Sequence, residues 1–359
     1  MSISTYNTLT AWGLSPLPGT ELMCIAGPCA ADSEEQVMTS ARVLKANGIS
    51  AFRAGIWKPR TRPGSFEGVG IAALPWLKRV KSELGLKTAI EIATPAHAEA
   101  ALDAGIDLLW LGARTTANPF AVQELAEALK GTSTPVLVKN PVNPDLNLWF
   151  GSIERLQRTG ISKIGAILRG FSTQHPGELR NDPGWNIAID FRQKMPQIPL
   201  ICDPSHIAGR RDRIRQISQH AIDLDCDGLM IEVHIMPDKA LSDAKQQLNP
   251  QAFQNLLAQL HFRQHEEAAE NNLQLKALRT QIDELDYELL CTIAKRMETV
   301  REIAKLKRKD NMTALQSQRW NAILEQMHQN GAQLGLSNEL VEAIARLLHQ
   351  QALEIQIEA

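Results

Sequence analysis

The sequence lacks the features that mark several common classes of protein. No apolar run approaches the roughly 18 to 20 residues a membrane-spanning helix needs, so none is expected here. Five cysteines, at positions 24, 29, 202, 226 and 291, show no paired spacing and no secretory leader is recognisable, which points to a reducing cytoplasm rather than a disulfide framework. A surplus of charge is also missing. With 38 Lys and Arg against 40 Asp and Glu, the net charge is −2, too little positive field for a nucleic-acid partner. Arginines that bind phosphate must therefore act locally. No glycine-rich dinucleotide fingerprint follows any apolar run, which speaks against a Rossmann domain.

What is present is an alternation. The 359 residues exceed the roughly 250 of a single (β/α)8 barrel and leave about 100 for something else. After a lead-in at 1–20, read as irregular because of Pro16 and Pro18, candidate strands fall at 22–27, 49–54, 88–93, 108–112, 135–139, 164–168, 199–202 and 228–233. Between them lie amphipathic segments at Glu34–Ala46, Ile71–Leu84, Pro95–Ala104, Phe120–Lys130, Ser152–Thr159, Gly184–Lys194 and Arg210–His220. Eight such alternations predict an α/β fold, a closed parallel TIM barrel over 1–262.

In such a barrel the strand ends face the active site. Two apolar runs, Pro199–Cys202 and Gly228–Val233, bring His206 and Glu232 to their ends, and Asp243 follows eleven residues after Glu232. Cys29 follows a third run begun at Leu22. Residues this far apart have no obligatory relation; their shared position at strand ends is what connects them. A thiol, an imidazole and two carboxylates suit a borderline divalent cation such as Mn²⁺, Fe²⁺ or Zn²⁺. Cations recur at the same ends: Arg53, then Lys58-Pro59-Arg60-Thr61, and Arg114, Lys139 and Arg169. So many positive groups at one mouth would repel unless anions held them, which predicts a phosphate and carboxylate pocket.

Composition changes near 263. A polar stretch over 263–272 reads as a linker, and apolar residues Leu275, Leu278, Ile282, Leu285, Leu289, Ile293, Val300, Ile303 and Leu306 then recur at steps of three and four. This predicts one helix from Leu273 to about Lys309, roughly 54 Å long, whose stripe is too long for a small domain to cover and calls for a second copy. Two more helices are expected near 314–329 and 338–357, separated by Gly331–Gly335. Arg296 and Lys307 are eleven residues apart and lie about 20° from one another on one helix face, while Arg279 is about 25 Å from Arg296 along the axis. One helix cannot aim all three at one small ligand, but an antiparallel copy can bring its own Arg279 alongside.

Residues 20–262 resemble the metal-dependent 3-deoxy-D-arabino-heptulosonate 7-phosphate (DAHP) synthases, of the compact type that shares its core with the 3-deoxy-octulosonate 8-phosphate synthases. The resemblance rests on Ala26-Gly-Pro-Cys29, Arg53, Lys58-Pro-Arg-Thr61, Gly112-Ala-Arg114, Leu137-Val-Lys139, Leu168-Arg-Gly170, Asp203-Pro-Ser-His206, Ile231-Glu-Val-His234 and Lys239-Ala-Leu-Ser-Asp243. It implies condensation of phosphoenolpyruvate with erythrose 4-phosphate, the first step of the shikimate pathway. By it, Cys29, His206, Glu232 and Asp243 hold the metal, with Mn²⁺ first and Fe²⁺, Co²⁺ or Zn²⁺ as alternatives. Arg53, Lys58, Arg114, Lys139 and Arg169 hold phosphoenolpyruvate, and Pro59, Arg60 and Thr61 the other phosphate; Lys139 is the candidate proton donor to the forming alkoxide, with a metal-bound water as the alternative. The alternative is an octulosonate 8-phosphate synthase, although the Lys-Pro-Arg-Thr wording favours the heptulosonate enzyme.

Residues 273–359 resemble the all-helical chorismate mutases through Leu278-Arg279, Ile282-Asp283, Leu285-Asp286, Lys295-Arg296, Ile303-Ala-Lys-Leu-Lys307, Arg319 and Gln356. The implied chorismate site is Arg279, Arg296, Lys307, Arg319 and Gln356, with Lys307 and Gln356 catalytic, in a homodimer. Gln316, Trp320 and Ala352 stand where such mutases commonly carry an acid, an acid and a small hydroxyl residue. This leaves open a ligand-sensing dimerisation module with weak turnover. With the barrel starting within about 20 residues of the first and no long insertion in it, feedback by chorismate or prephenate is expected to come through the helical domain.

Overall fold

The computed structural model describes residues 5–59, 64–173, 178–262, 273–313, 315 and 317–358. The chain divides into two compact units, Met1–Gln264 and His265–Ala359. In the first, the elements in chain order are α1 (Thr5–Ala11), β1 (Met23–Gly27), α2 (Glu34–Ala46), β2 (Ala51–Arg53), α3 (Leu74–Leu84), β3 (Lys87–Ile92), α4 (Pro95–Asp103), β4 (Leu108–Leu111), α5 (Ala113–Thr116), α6 (Pro119–Ala128), β5 (Val136–Lys139), α7 (Leu146–Arg158), β6 (Ile164–Leu168), α8 (Trp185–Lys194), β7 (Leu200–Cys202), α9 (Pro204–Ala208), α10 (Ile214–Asp223), β8 (Gly228–Glu232) and α11 (Pro250–Gln259). The eight strands close into a parallel barrel in sequence order, with β8 paired to β1.

Because side chains alternate across a strand, each run serves two cores. Ile25, Ala51, Ala89, Trp110, Leu137, Ile167, Ile201 and Met230 point inward and meet in one buried cluster. Their neighbours Ala26, Phe52, Ile90, Leu109, Val138, Ala166, Cys202 and Ile231 point outward and pack under the helices. Full burial on both faces explains why the strands read as unbroken apolar runs.

Three local expectations are corrected. The lead-in is irregular only over 12–20, since Thr5–Ala11 is helical, and Leu9, Trp12 and Leu14 join the interior cluster with the strand-start residues Met23 and Leu108. Helix α7 begins at Leu146 rather than Ser152, because Asp145 caps it by accepting from the Leu148 backbone N–H at 2.9 Å. Trp149 in its first turn donates its indole N–H to the Val138 carbonyl at 3.1 Å. Helix α10 begins at Ile214, not Arg210, because Arg211 is turned aside to bond the carbonyls of Gln247 and Ala244. The linker expected at 263–272 lies outside the described residues.

The second unit is three helices: α12 (Leu273–Lys309, 37 residues), α13 (Ser317–Gln333) and α14 (Asn338–Glu358). Helix α13 passes through Gly331, which was expected to separate helices; a side chain there would meet Val341 Cγ2 at 2.3 Å, so glycine lets α13 and α14 approach. The turn falls instead at Gly335, with φ +74°. Met297, Val300 and Ala304 are buried, as are Val341, Ala345 and Ala352 of α14. The first half of α12 is different: Leu278, Ile282, Leu285 and Leu289 are 51%, 56%, 58% and 57% exposed within the chain. Among the described residues, no helix is long and apolar enough to cross a membrane.

Candidate active sites

One inward step beyond the apolar layer, the strands become charged. Arg53, Glu91, Lys139, Arg169, Asp203 and Glu232 each follow an inward apolar residue by two positions, so strand alternation aims all six into one mouth. Trp110 forms the floor, with the Arg53 guanidinium 5.0 Å and the Lys139 ammonium 5.8 Å from its ring centre.

The charges are interlocked. Arg53 is fully buried; one nitrogen donates to Glu232 Oε1 at 3.0 Å and another lies 4.0 Å from Asp203 Oδ2. Lys139 Nζ donates to Asp203 Oδ2 at 2.7 Å, and the same carboxylate lies 2.8 Å from His206 Nδ1. Burial opposes ionisation of Asp203, but the charges of His206, Lys139 and Arg53 hold it well below the usual carboxylate range. Burial pulls Lys139 the other way, below the ordinary lysine value, against the opposing pull of Asp203. Cation repulsion is thus offset in part by the protein's own Asp203 and Glu232, not by ligands alone, as composition had suggested. Two donors of Arg53, Nε and Nη1, are nonetheless buried with no hydrogen-bond partner. Unmade donors of this kind cost about 1 to 3 kcal/mol each, a debt that an incoming anion can cancel.

Three of the four residues expected to share a cation form one cluster, and the fourth, His206, borders it. Donor atoms of Cys29, Glu232 and Asp243 all fall within 4.8 Å of one another, and His206 Nε2 is 3.8 Å from Glu232 Oε1. Strand β1 ends at Gly27, and the loop after it places Cys29 Sγ 3.0 Å from Ser242 Oγ and 3.5 Å from Asp243 Oδ2. Burial pushes the Cys29 thiol up to about 12, with Glu232 adding to the shift. Strand β7 ends at Cys202, so His206 sits in α9, whose N-cap is Asp203. Asp243 adopts a left-handed backbone and is gripped by Arg180 at 3.3 Å, while Gln246 donates to Glu232 Oε2 at 2.7 Å.

Lys58 is buried against Gly55, where a Cβ would lie 2.5 Å from the lysine stem. Pro59 is half-buried, and Arg60 and Thr61 lie outside the described residues. Arg169 donates to Asn181 Oδ1 at 2.9 Å, and burial lowers its pKa to about 10. Arg114 is exposed on α5. Glu91, Arg180 and Gln246 were not singled out from sequence, and Asp203 only as part of the Asp203-Pro-Ser-His206 motif, although the period-two phase set by Ile201 and Ala89 marks Asp203 and Glu91.

In the helical unit, Arg296 and Lys307 are half-buried, and Arg296 Nη1 donates to the Leu348 carbonyl on α14 at 3.2 Å. Gln356 donates to the Ala352 carbonyl at 3.1 Å, and its Oε1 is buried with no hydrogen-bond partner. Arg279 and Arg319 are exposed, and Gln316 lies outside the described residues. Arg296 therefore joins α12 to α14, while Arg279 stays seventeen residues back along α12.

Residues 18–267 match the family described as DAHP synthetase I, and residues 278–357 match chorismate mutase type II. Similar proteins include the phospho-2-dehydro-3-deoxyheptonate aldolase of Thermotoga maritima, 32% identical over 240 residues, covering 66% of this chain and 68% of that protein. They also include the 2-dehydro-3-deoxyphosphooctonate aldolase of Desulfatibacillum aliphaticivorans, 28% identical, covering 67% and 92%. Among solved structures, the DAHP synthase of Thermotoga maritima superposes with a TM-score of 0.59 at 29% identity, covering 66% of this chain and 67% of that one. A truncated form of the Thermotoga maritima 3-deoxy-D-arabino-heptulosonate 7-phosphate synthase gives 0.57 at 26% identity, covering 74% and 88%. A closed barrel with a charged inner layer, matched over most of its length, followed by a three-helix unit matched separately, makes this chain a member of the DAHP synthetase I family that carries a C-terminal chorismate mutase type II domain.

Proposed function

We propose that the barrel condenses phosphoenolpyruvate with erythrose 4-phosphate, giving 3-deoxy-D-arabino-heptulosonate 7-phosphate and phosphate, and that the helical domain rearranges chorismate to prephenate. The observation that carries the first reading is Arg53, a fully buried guanidinium with two donors left unmade. A carboxylate or phosphate of phosphoenolpyruvate completes them, with Lys58, Arg114, Lys139 and Arg169 around the rest of the anion.

The donor set of Cys29, His206, Glu232 and Asp243 fits a borderline divalent cation, Mn²⁺ first, with Fe²⁺, Co²⁺ or Zn²⁺ as alternatives. When bound, such an ion supplies Lewis acidity toward the aldehyde oxygen of erythrose 4-phosphate. The chain's own groups do the rest. Pro59, Arg60 and Thr61 hold the erythrose phosphate. C3 of phosphoenolpyruvate attacks the aldehyde carbon, water adds at C2, and the C2–O bond to phosphate breaks. Lys139 protonates the forming alkoxide; burial makes it a stronger acid than a free lysine, and Asp203 keeps it charged before the step.

The octulosonate reading has one observation in its favour, the similarity to octulosonate aldolases at 28% identity. Steady-state phosphate release separates the two: erythrose 4-phosphate is the expected acceptor, and a preference for arabinose 5-phosphate would reverse the assignment.

For the mutase, the exposed stripe Leu278, Ile282, Leu285 and Leu289 supports pairing of α12 with a second copy, which brings that copy's Arg279 to Arg296 and Lys307. Arg319 and Gln356 complete the site. The rearrangement then needs only a held conformation and positive charge near the breaking C–O bond. Loss of chorismate absorbance is the test; binding without turnover would leave the domain as a ligand sensor. Five free cysteines, none in a disulfide, suit a cytoplasmic enzyme.

A further inference from the structure

We propose that His349, held by Trp320, receives the ring hydroxyl of the mutase substrate. The inference rests on the mutase reading and concerns the same pocket. Trp320 lies in the first turn of α13 and His349 on α14, and their rings stack at 4.1 Å between centres with planes 19° apart. The carbonyl immediately before His349, that of Leu348, is the one held by Arg296 at 3.2 Å. The imidazole therefore borders the groups that take the substrate's carboxylates.

A surface histidine stacked on a tryptophan is commonly no more than packing. Three observations argue for more. His349 is half-buried, and among the described residues neither ring nitrogen has a hydrogen-bond partner. His349, Ala352 and Gln356 are spaced at i, i+3 and i+7, so they share one helix face, and the Gln356 carbonyl oxygen on that face is buried and unpartnered as well. Finally, burial, then the positive charges of Arg296 and Lys307, lower the His349 pKa. A neutral imidazole offers one N–H and one lone pair.

That pair of functions complements a hydroxyl. Chorismate presents two carboxylates, an ether oxygen and one ring hydroxyl. The cations match the carboxylates, and a third cation in the same place would not improve discrimination. Ala352, buried one turn from His349, has no polar group to offer the hydroxyl. Trp320 fixes the imidazole plane by stacking, which makes it a positioning residue.

The test uses the full-length protein with chorismate and with its analogue lacking the ring hydroxyl. His349→Ala is expected to lower kcat/KM for chorismate about 3- to 10-fold, the range of one net hydrogen bond, and to leave the analogue unchanged. His349→Gln, which keeps a donor and an acceptor, should recover part of the loss, and Trp320→Phe should keep most of the activity. Unchanged helical content and an unchanged sedimentation coefficient report that the variants are folded. Equal losses on both substrates, or no loss on chorismate, would overturn the proposal. If the wild-type chain leaves chorismate unconverted, the mutase reading falls and this inference with it.

Discussion

Asp203 is the residue on which the barrel site turns. One carboxylate touches Lys139 at 2.7 Å and His206 Nδ1 at 2.8 Å, with Arg53 at 4.0 Å. Lying against Nδ1, it leaves the other ring nitrogen, Nε2, facing Glu232 at 3.8 Å, the side from which a carboxylate orients a ligating imidazole. Asp203→Asn keeps the shape and removes the charge. It is expected to weaken divalent-metal affinity about 10- to 100-fold, read by competition with a chelating dye, and unchanged affinity would show that His206 needs no such orientation. Arg53→Lys keeps a charge but not the planar fork that spans Glu232 and an anion. The KM for phosphoenolpyruvate should rise about tenfold or more, and a normal KM would remove Arg53 from the anion pocket.

At the scale of elements, the decisive feature is α12. Its second half buries Met297, Val300 and Ala304, while its first half leaves a stripe of four large apolar residues more than half exposed. Leu285→Asp places a charge in that stripe. It should turn a dimer into a monomer by sedimentation and lower chorismate turnover at least about tenfold, since Arg279 of a second copy is lost. A wild-type chain that sediments as a monomer would remove the shared site. The stripe was legible because a 3.6-residue period sustained over 37 residues has few competing explanations. The eight strands were legible for a related reason, as short runs buried on both faces leave no polar residue to break the pattern. Less legible were elements whose signal is one polar atom. The start of α7 depends on the Asp145 carboxylate, and α1 depends on a hollow barrel end that exists only once the strands close. The cluster of Cys29, Glu232 and Asp243 was foreshadowed by the strand ends, while Asp203, Arg180 and Gln246 act by contacts between distant segments that spacing does not encode.

For the whole molecule, the question is whether the two activities communicate. We propose that prephenate bound at the helical site inhibits condensation in the barrel, with a coupling of roughly 1 to 3 kcal/mol, or about 5- to 150-fold in affinity. Reciprocity then requires phosphoenolpyruvate to weaken prephenate binding by the same factor. Arg296→Ala should abolish the inhibition and keep the basal condensation rate, and a 1–265 fragment, which retains the barrel core, should stay active and insensitive. Equal inhibition of all three forms would mean that prephenate acts elsewhere. We further propose that Cys29, His206, Glu232 and Asp243 together make condensation depend on a divalent cation. The most direct test is phosphate release from phosphoenolpyruvate and erythrose 4-phosphate by exhaustively chelated enzyme, before and after addition of Mn²⁺. No release is expected before and full rates after, with Cys29→Ala poorly restored. Full activity of the chelated enzyme, or of chelated Cys29→Ala, would contradict it.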